Sequence, residues 1–368
     1  MSRPLQQETE QDEYSDRGMG SDVMIIGGGL AGWRAAEAAV AGGASVTLVA
    51  NGVGNSPDIH ALNCPVLPED SVQQFIDDTL SSGKYRNDPA LVEAMCQESV
   101  RLKEEFDFDD TIIRPLGSTI PRCVSIKHAI GAIALGDIKK RLKDKIVVEN
   151  RTMTVDDLLD VRAKFPAMKI IIATGGWCGK YEFSTNPAYL KGDGLAMAEA
   201  LGGAVRDVDM AHVQYEPTVR VEGPRRGIPV ITTLLYEGAR LLNMEGKEFL
   251  ADARLNKDEL SMAILEQGGA AFYDLTDVPD EKILECRMDL SERMIKVAPA
   301  PHSSLGGIVI DSRCHVLAPD GSIVPGLFAC GEVTGGIHGL NRLGGNGGTV
   351  AMVFGTIAGR EAALEVKN

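Results

Sequence analysis

Residues 22–50, DVMIIGGGLAGWRAAEAAVAGGASVTLVA, constrain the fold of this chain more than any other stretch. An apolar run is followed by G-x-G-x-x-G at Gly27, Gly29 and Gly32, then by an alanine-rich stretch and a second apolar run. This order predicts a strand, a tight turn, a helix and a parallel strand, in which a pyrophosphate approaches the backbone at the helix N-terminus. The sequence therefore predicts a dinucleotide-binding fold, with Ala31 also at the phosphate-binding turn.

The end of the second predicted strand departs from the usual pattern. An acidic residue normally binds the ribose hydroxyls there, but in this chain Val49 is followed by Ala50 and Asn51. We expect the side chain of Asn51 to hydrogen-bond the ribose instead.

Two further apolar runs end in glycines or an acid: KIIIATGG at 169–176 and PGLFACGE at 325–332. Each is typical of a buried parallel strand that ends at a turn. Flavoproteins with two dinucleotide-binding folds use such strands to enclose the cofactor, whereas nicotinamide enzymes do not need them. The residues expected to face the cofactor here are Ala173, Thr174, Gly175, Gly331 and Glu332.

Composition and charge narrow the classes of partner. The formal net charge of −15 makes a nucleic-acid backbone or an anionic membrane surface an unfavourable partner, so an anionic substrate would need a local basic pocket. The apolar stretches are too short to span a membrane. A chain of 368 residues is long enough for two domains.

Cysteine usage and the N-terminus bear on the compartment. The seven cysteines are scattered and include no C-x-x-C pair, which favours a reducing, cytoplasmic location and argues against a metal, iron–sulfur or haem site in this chain. Residues 1–20 are rich in acids, unlike a signal peptide, and are expected to form a disordered leader.

Three ordered segments resemble the flavoprotein family of fumarate reductase, succinate dehydrogenase and L-aspartate oxidase. They are residues 185–218, 301–311 and 325–359. Residues 70–99 also resemble the helical segment that follows the first cofactor-binding loop in this family. The resemblance covers most of residues 21–360.

This resemblance implies an α/β fold in which a two-dinucleotide-binding, Rossmann-like FAD domain carries a small inserted α+β capping domain. The FAD domain would comprise residues 21–218 and 301–368, and the cap residues 219–300. Within the cap, we expect strands in 231–250 and 268–275 around a helix at KDELSMAILEQ. This cap is shorter than is usual in the family.

The cofactor implied is FAD. In the family the last helix begins at the flavin, so the amides near Gly344 and Gly345 would face the ring where reduced flavin carries negative charge. Glu332 would bind the sugar-alcohol chain. Further cofactor contacts are expected from Asp193, Asn341 and Asn346. The segment around His60 lacks the family pattern for a covalent bond to the flavin, so we expect FAD to be bound non-covalently.

The substrate half keeps two family residues. His302 matches the histidine of H-x-x-x-G-G, and Arg342 matches the arginine of N-R-L-G. Both are expected to donate charge-assisted hydrogen bonds to a substrate carboxylate.

Two positions depart from the family. Where H-P-T is usual, the chain has Glu216 before Pro217 and Thr218; Lys257 aligns with the arginine that donates a proton from the cap, and Arg254 lies one helical turn earlier. Lysine can also deliver a proton, but Glu216 would repel a carboxylate. We therefore expect a substrate other than plain fumarate, with a cationic or amide group facing Glu216.

Three functions stay open. The first is an enzyme that exchanges hydride between FAD and a carboxylate-bearing substrate at a CH–CH bond. The second is an FAD-carrying electron-relay subunit whose substrate site has degenerated, and the third is an L-aspartate oxidase-like enzyme. A redox partner protein or subunit is expected as electron source or sink, because no haem or cluster motif is present.

Overall fold

A computed structural model describes residues 20–115, 117–127, 129–252, 255–286 and 288–367. The strands are β1 (Val23–Ile26), β2 (Val46–Val49), β3 (Leu62–Asn63), β4 (Cys123–Val124), β5 (Val147–Glu149), β6 (Lys169–Ile172), β7 (Val205–Arg206), β8 (Val213–Arg220), β9 (Arg240–Leu242), β10 (Ala271–Asp274), β11 (Met294–Ser304), β12 (Gly307–Ile308), β13 (His315–Leu317) and β14 (Ile323–Ala329).

Most of the α-helices lie in the first half of the chain. The α-helices are α1 (Leu30–Ala41), α2 (Val72–Ser82), α3 (Pro89–Ser99), α4 (Leu102–Glu105), α5 (Ile130–Leu142), α6 (Val155–Lys164), α7 (Asp193–Ala200), α8 (Lys257–Glu266), α9 (Asp280–Glu285) and α10 (Asn346–Lys367). Short 3-10 turns occur at Ser56–Asp58, Cys178–Lys180, Met210–His212, Thr232–Glu237 and Gly331–Val333.

The larger sheet has the strand order β13-β14-β6-β1-β2-β5. β1 pairs in parallel with β2 and β6, β14 pairs in parallel with β6, and only the edge strand β13 is antiparallel among these pairs. β1 and β2 are fully buried, as in a parallel sheet covered on both faces. The four apolar runs found in the sequence thus supply the four central strands of one sheet, β14, β6, β1 and β2, which confirms the predicted α/β dinucleotide-binding fold.

The C-terminal helix α10 packs closely along α1. A Cβ atom at Gly355 would lie 2.6 Å from the carbonyl oxygen of Ala31, and one at Gly359 would lie 2.1 Å from that of Ala35. Larger residues would push the two helices apart. These glycines therefore allow the end of the chain to lie beside its first helix.

A second, antiparallel sheet has the order β8-β11-β10-β9. It has its own apolar core, which includes Val230, Leu260, Tyr273 and Val297. The long strands β8 and β11 pair with each other. Each runs across one of the cap boundaries expected at 219 and 300, so each strand extends from the FAD domain into the cap. Residues 1–19 of the expected leader lie outside the described residues.

The elements expected in the cap are partly corrected. The helix α8 and the strand β10 are confirmed, but in the segment 231–250 the residues Thr232–Glu237 form a 3-10 turn rather than a strand. Leu234 and Leu235 are buried one after the other, and Gly238, at φ +102°, ends the turn in the left-handed region. Alternation of buried and exposed positions is therefore lost, and only β9 remains as a strand in this segment.

No helix within the described ranges combines the length and hydropathy of a membrane span. All seven cysteines are free thiols.

Candidate active site

A cavity of about 680 Å³ lies where the two sheets meet. One side is formed by the segments that follow β1, β2, β6 and β14, and the other by residues 227–233 and 256–257 of the cap. Its size lies within the range of ligand pockets, ~300–1,000 Å³, and the carboxyl ends of parallel strands are where such sheets bind ligands.

The glycine-rich turn after β1 is packed against β6. Gly27 has φ +127°, and a Cβ atom on it would lie 2.1 Å from the carbonyl oxygen of Ala173. Gly29 is the N-cap of α1 without a side-chain cap, and the amide of Leu30 donates to Ser56 Oγ at 2.7 Å. Since Gly29, Leu30 and Ala31 line the cavity, the N-terminus of α1 faces its interior.

Most residues expected to bind the cofactor line this one cavity. They are Gly27, Gly29, Ala31, Asn51, Ala173, Thr174, Gly175, Asp193, Glu332, Asn341, Gly344 and Gly345. The structure thus brings together segments that are more than 300 positions apart in the chain. Their contacts with FAD stay a prediction.

Three of the expected cofactor residues do not line the cavity: Gly32, Gly331 and Asn346. A Cβ atom on Gly32 would lie 2.0 Å from the carbonyl oxygen of Gly27, and one on Gly331 would lie 2.7 Å from Ala31 Cβ. Neither position therefore has room for a side chain, and the contacts of Gly32 and Gly331 with FAD stay a prediction.

The side chain of Asn346 fixes the start of α10 without lining the cavity. Its Oδ1 accepts from Asn63 Nδ2 at 2.6 Å, and its Nδ2 donates to Thr79 Oγ1 at 3.2 Å. Gly345, at φ +86°, has no room for a side chain because a Cβ atom would lie 2.7 Å from Asn63 Oδ1. The glycine-rich start of α10 is thus fixed by a buried amide network.

Several buried polar atoms at the cavity have no hydrogen-bond partner among the described residues. They include Thr174 Oγ1, Asn55 Oδ1 and Arg342 Nε. Unpaired buried polar atoms are costly, so they are typical of a site completed by a ligand. Glu332 Oε1 accepts from the amide and hydroxyl of Ser304 at 3.0 and 3.1 Å, while burial raises the pKa of its carboxyl. These donors and acceptors, with the open helix N-terminus, fit a dinucleotide with a polar ring system.

At the other end of the cavity, Lys257 forms an ion pair with Glu216. Lys257 is the first residue of α8, whose N-cap Asn256 accepts from the amide of Glu259. His302 Nε2 lies 3.9 Å from Glu216 Oε2, and its Nδ1 lies 2.8 Å from Thr185 Oγ1. Arg342 faces the same region.

The pKa values of His302 and His338 are both lowered, so both imidazoles are neutral at physiological pH. Burial, with Lys257 and Arg342 nearby, holds the pKa of His302 well below its usual value, and burial lowers the pKa of His338 to about 3. With this shift His302 can donate a hydrogen bond as a neutral imidazole, and its contact with a substrate carboxylate stays a prediction. Burial also lowers the pKa of Arg342, with Glu332 and Glu216 opposing the shift, but a guanidinium stays charged.

Glu216 has a cationic partner within the protein that the sequence did not predict. Its carboxylate pairs with Lys257, and the expected cationic or amide group of the substrate stays a prediction. The two residues lie 41 positions apart, on β8 and α8, so no local pattern could pair them. Arg254, the other candidate proton donor, lies outside the described residues.

Sequence reasoning missed several cavity residues. Ser56 binds the first amide of α1, Tyr189 accepts from the amide of Gly54 at 3.0 Å through its hydroxyl, and Ile228 and Ile231 form an apolar side of the cavity. The long, polar loops that carry them have no periodic pattern. Only the side chain of Tyr189, an aromatic within a segment that resembles the family, gave any signal.

The parallel sheet, glycine turn and cavity define an α/β protein of the dinucleotide-cofactor class. The family model described as "FAD binding domain" matches residues 22–155 and 144–347. The chain belongs to this family, and FAD is its cofactor.

Curated relatives are similar along nearly the whole chain. A fumarate reductase (cytochrome) from Shewanella frigidimarina is 28% identical over 448 residues, covering 93% of this chain and 77% of the relative. One subunit of the CoM/CoB fumarate reductase of Methanothermobacter marburgensis is 30% identical, with 93% and 72% covered. An L-aspartate oxidase of Caulobacter vibrioides is 29% identical, with 93% and 76% covered. The first alignment is longer than this chain, so that relative carries insertions that the chain lacks.

Solved structures agree in fold. An open conformation of a flavocytochrome c3 fumarate reductase has a TM-score of 0.73 at 24% identity, covering 100% of this chain and 83% of that one. A quinol–fumarate reductase with menaquinol molecules has a TM-score of 0.78 at 22% identity, with 95% and 71% covered. The chain is thus an FAD-dependent oxidoreductase of the fumarate reductase and L-aspartate oxidase group.

Proposed function

We propose that this protein is an enzyme that reduces, or in the reverse direction forms, a carbon–carbon double bond next to a carboxylate. The observation that carries the proposal is the position of Arg342, Lys257 and His302 on the same cavity as the dinucleotide-binding turn. A relay of electrons between proteins would not require an anion-binding and proton-donating set there.

Each residue has a distinct role in this proposal. Arg342, whose Nε has no partner among the described residues, binds the substrate carboxylate. His302 donates a neutral hydrogen bond from Nε2, because Thr185 Oγ1 can donate to its Nδ1. When bound, FAD supplies hydride exchange with a substrate carbon.

Lys257 is the proton donor in this proposal. Its ammonium faces the cavity, delivers a proton to the carbon next to the one that receives hydride, and takes it back in the reverse direction. Glu216 positions the ammonium through the ion pair. A second candidate donor is Arg254, which a variant at that position tests separately.

FAD is proposed to bind without a covalent bond, and the electrons to come from or go to a redox partner protein. The two fumarate reductase relatives named above, one a cytochrome and one a subunit, support the latter. In the L-aspartate oxidase alternative, the ammonium of the amino-acid substrate would need to pair with Glu216. The carboxylate of Glu216 is already paired with Lys257, so this alternative is disfavoured. The cytoplasmic location stays a prediction.

The test is a photometric screen. The purified holoprotein is reduced without oxygen, and enoates are added while flavin absorbance is followed. Reoxidation by at least one enoate is expected. Reoxidation by none, together with rapid oxidation by one-electron acceptors, would contradict the proposal and favour the electron relay.

A further inference from the structure

The charged side chains at the substrate end of the cavity sum to a single positive charge. Among the described lining residues of the cap, of β8 and β11, and of the segment 341–348, the charged side chains are Glu216, Lys257 and Arg342. Lys257 and Glu216 neutralise each other in their ion pair. With His302 neutral, Arg342 is the one cation in this set without an anionic partner at hydrogen-bond distance.

The opposite side of this region is apolar and fixed in place. Ile228, Pro229 and Ile231 line the cavity. Their segment is held to β8 because the amide of Val230 donates to the carbonyl of Thr218 at 2.7 Å, and the hydroxyl of Thr218 donates back to the carbonyl of Val230 at 2.7 Å. An apolar group of a ligand would therefore meet a preformed surface there.

We infer that the substrate carries a single carboxylate, bound by Arg342, and an uncharged, partly apolar remainder that lies against residues 228–231. This inference rests on the proposed function. A second carboxylate would have to approach Lys257 beside Glu216, where it would meet like charge or separate the ion pair. Removing one partner of such a pair leaves the other uncompensated, so a dicarboxylate is disfavoured.

The test compares fumarate with monomethyl fumarate, which keeps the activated double bond but has one carboxylate fewer. Binding of each to the oxidised holoprotein is titrated through the change in flavin absorbance, and reoxidation of the reduced protein is timed with each. We expect the monoester to bind at least about tenfold more tightly than fumarate, because the second carboxylate of fumarate is the group that is repelled. Equal or tighter binding of fumarate would overturn the inference.

The variant Glu216→Gln removes the anion and frees the charge of Lys257. It should strengthen fumarate binding relative to monoester binding by about tenfold or more, and so reverse or abolish the preference. The exposed Glu222 of the cap provides the matched control Glu222→Gln, which should keep the wild-type preference. A preference unchanged in Glu216→Gln would contradict the inference, and the wild-type comparison decides it even where the variant does not fold.

The two proposals fail in different ways. Tight binding of the monoester without any reoxidation would contradict the proposed function but leave the assignment of charge intact. Reoxidation by fumarate in preference to the monoester would support the proposed function and overturn the single-carboxylate inference. Failure of both anions to bind would overturn the single-carboxylate inference, whereas the proposed function is decided by the full screen of enoates.

Discussion

Lys257 draws its function from its neighbours more than from its own chemistry. It is the first residue of α8, pairs with Glu216 and lines the same cavity as Arg342. An ion pair within a pocket costs desolvation, so its presence is better explained by function than by stability.

Replacing Lys257 tests the proposed proton donor. Lys257→Gln should lower enoate turnover by about a hundredfold or more, the usual contribution of general acid catalysis, while the flavin spectrum stays that of the wild type. Lys257→Arg should restore part of the rate, because a guanidinium can also pair with Glu216. The control is Glu259→Gln, at an exposed position in the same helical turn. An equally large loss of enoate turnover in this control would contradict the assignment of Lys257 as the proton donor.

His338 predicts a pH dependence of stability. Its pKa is about 3 in the folded protein against 6.5 in the unfolded chain, so the unfolded state binds a proton first as pH falls. This group therefore lowers the free energy of unfolding by about 1.4 kcal/mol for each pH unit as the pH falls from 6.5 to about 3.

The variant His338→Gln isolates this effect. The free energy of unfolding, measured with urea, should fall between pH 7.5 and pH 5.5 in both proteins. The decrease should be about 1.4 kcal/mol smaller in the variant than in the wild type. Equal losses in both proteins would mean that His338 titrates normally in the fold.

At the scale of elements, backbone proximity decides which helices can lie at the cavity. The turn between β1 and α1 is tight because Gly32 contacts the carbonyl of Gly27. The start of α10 depends on the amide of Asn63 beside Gly345. Each close contact holds a helix N-terminus towards the cavity.

Gly32→Ala should therefore destabilise the protein by about 1–3 kcal/mol through overpacking and lower its FAD content. The control is Gly136→Ala in α5, where a Cβ atom would meet nothing within 4 Å. That change should stabilise the protein by about 0.5–1 kcal/mol, because alanine favours a helix. Both are measured by thermal unfolding and by the ratio of flavin to protein absorbance. A neutral Gly32→Ala would contradict the packing argument.

The elements differ in how far the sequence could predict them. The turn after β1 and the strands β6 and β14 follow from short-range patterns, because a buried parallel strand is a continuous apolar run. The pairing of β8 with β11 and of Lys257 with Glu216 joins distant positions, and no local pattern encodes it. The neutral state of His302 also depends on charges brought in by the tertiary fold.

At the scale of the molecule, the chain closes on itself around one cavity. Its first strand, its last helix and the inserted cap all contribute lining residues, so the proposed FAD and substrate sites cannot form before these parts have assembled. Because the formal net charge of the chain is −15, an anion needs local positive charge such as that of Arg342 to bind in the cavity.

The most direct test of this account compares wild-type holoprotein with Arg342→Ala after anaerobic reduction. The wild type should be reoxidised both by a monocarboxylate enoate and by ferricyanide, which needs no substrate site. Arg342→Ala should keep FAD and react with ferricyanide at the wild-type rate, but lose reoxidation by the enoate by about a hundredfold or more, as expected for a lost charge-assisted hydrogen bond in a closed site. An enoate rate unchanged in Arg342→Ala would contradict the claim that this cavity is a carboxylate-reducing active site.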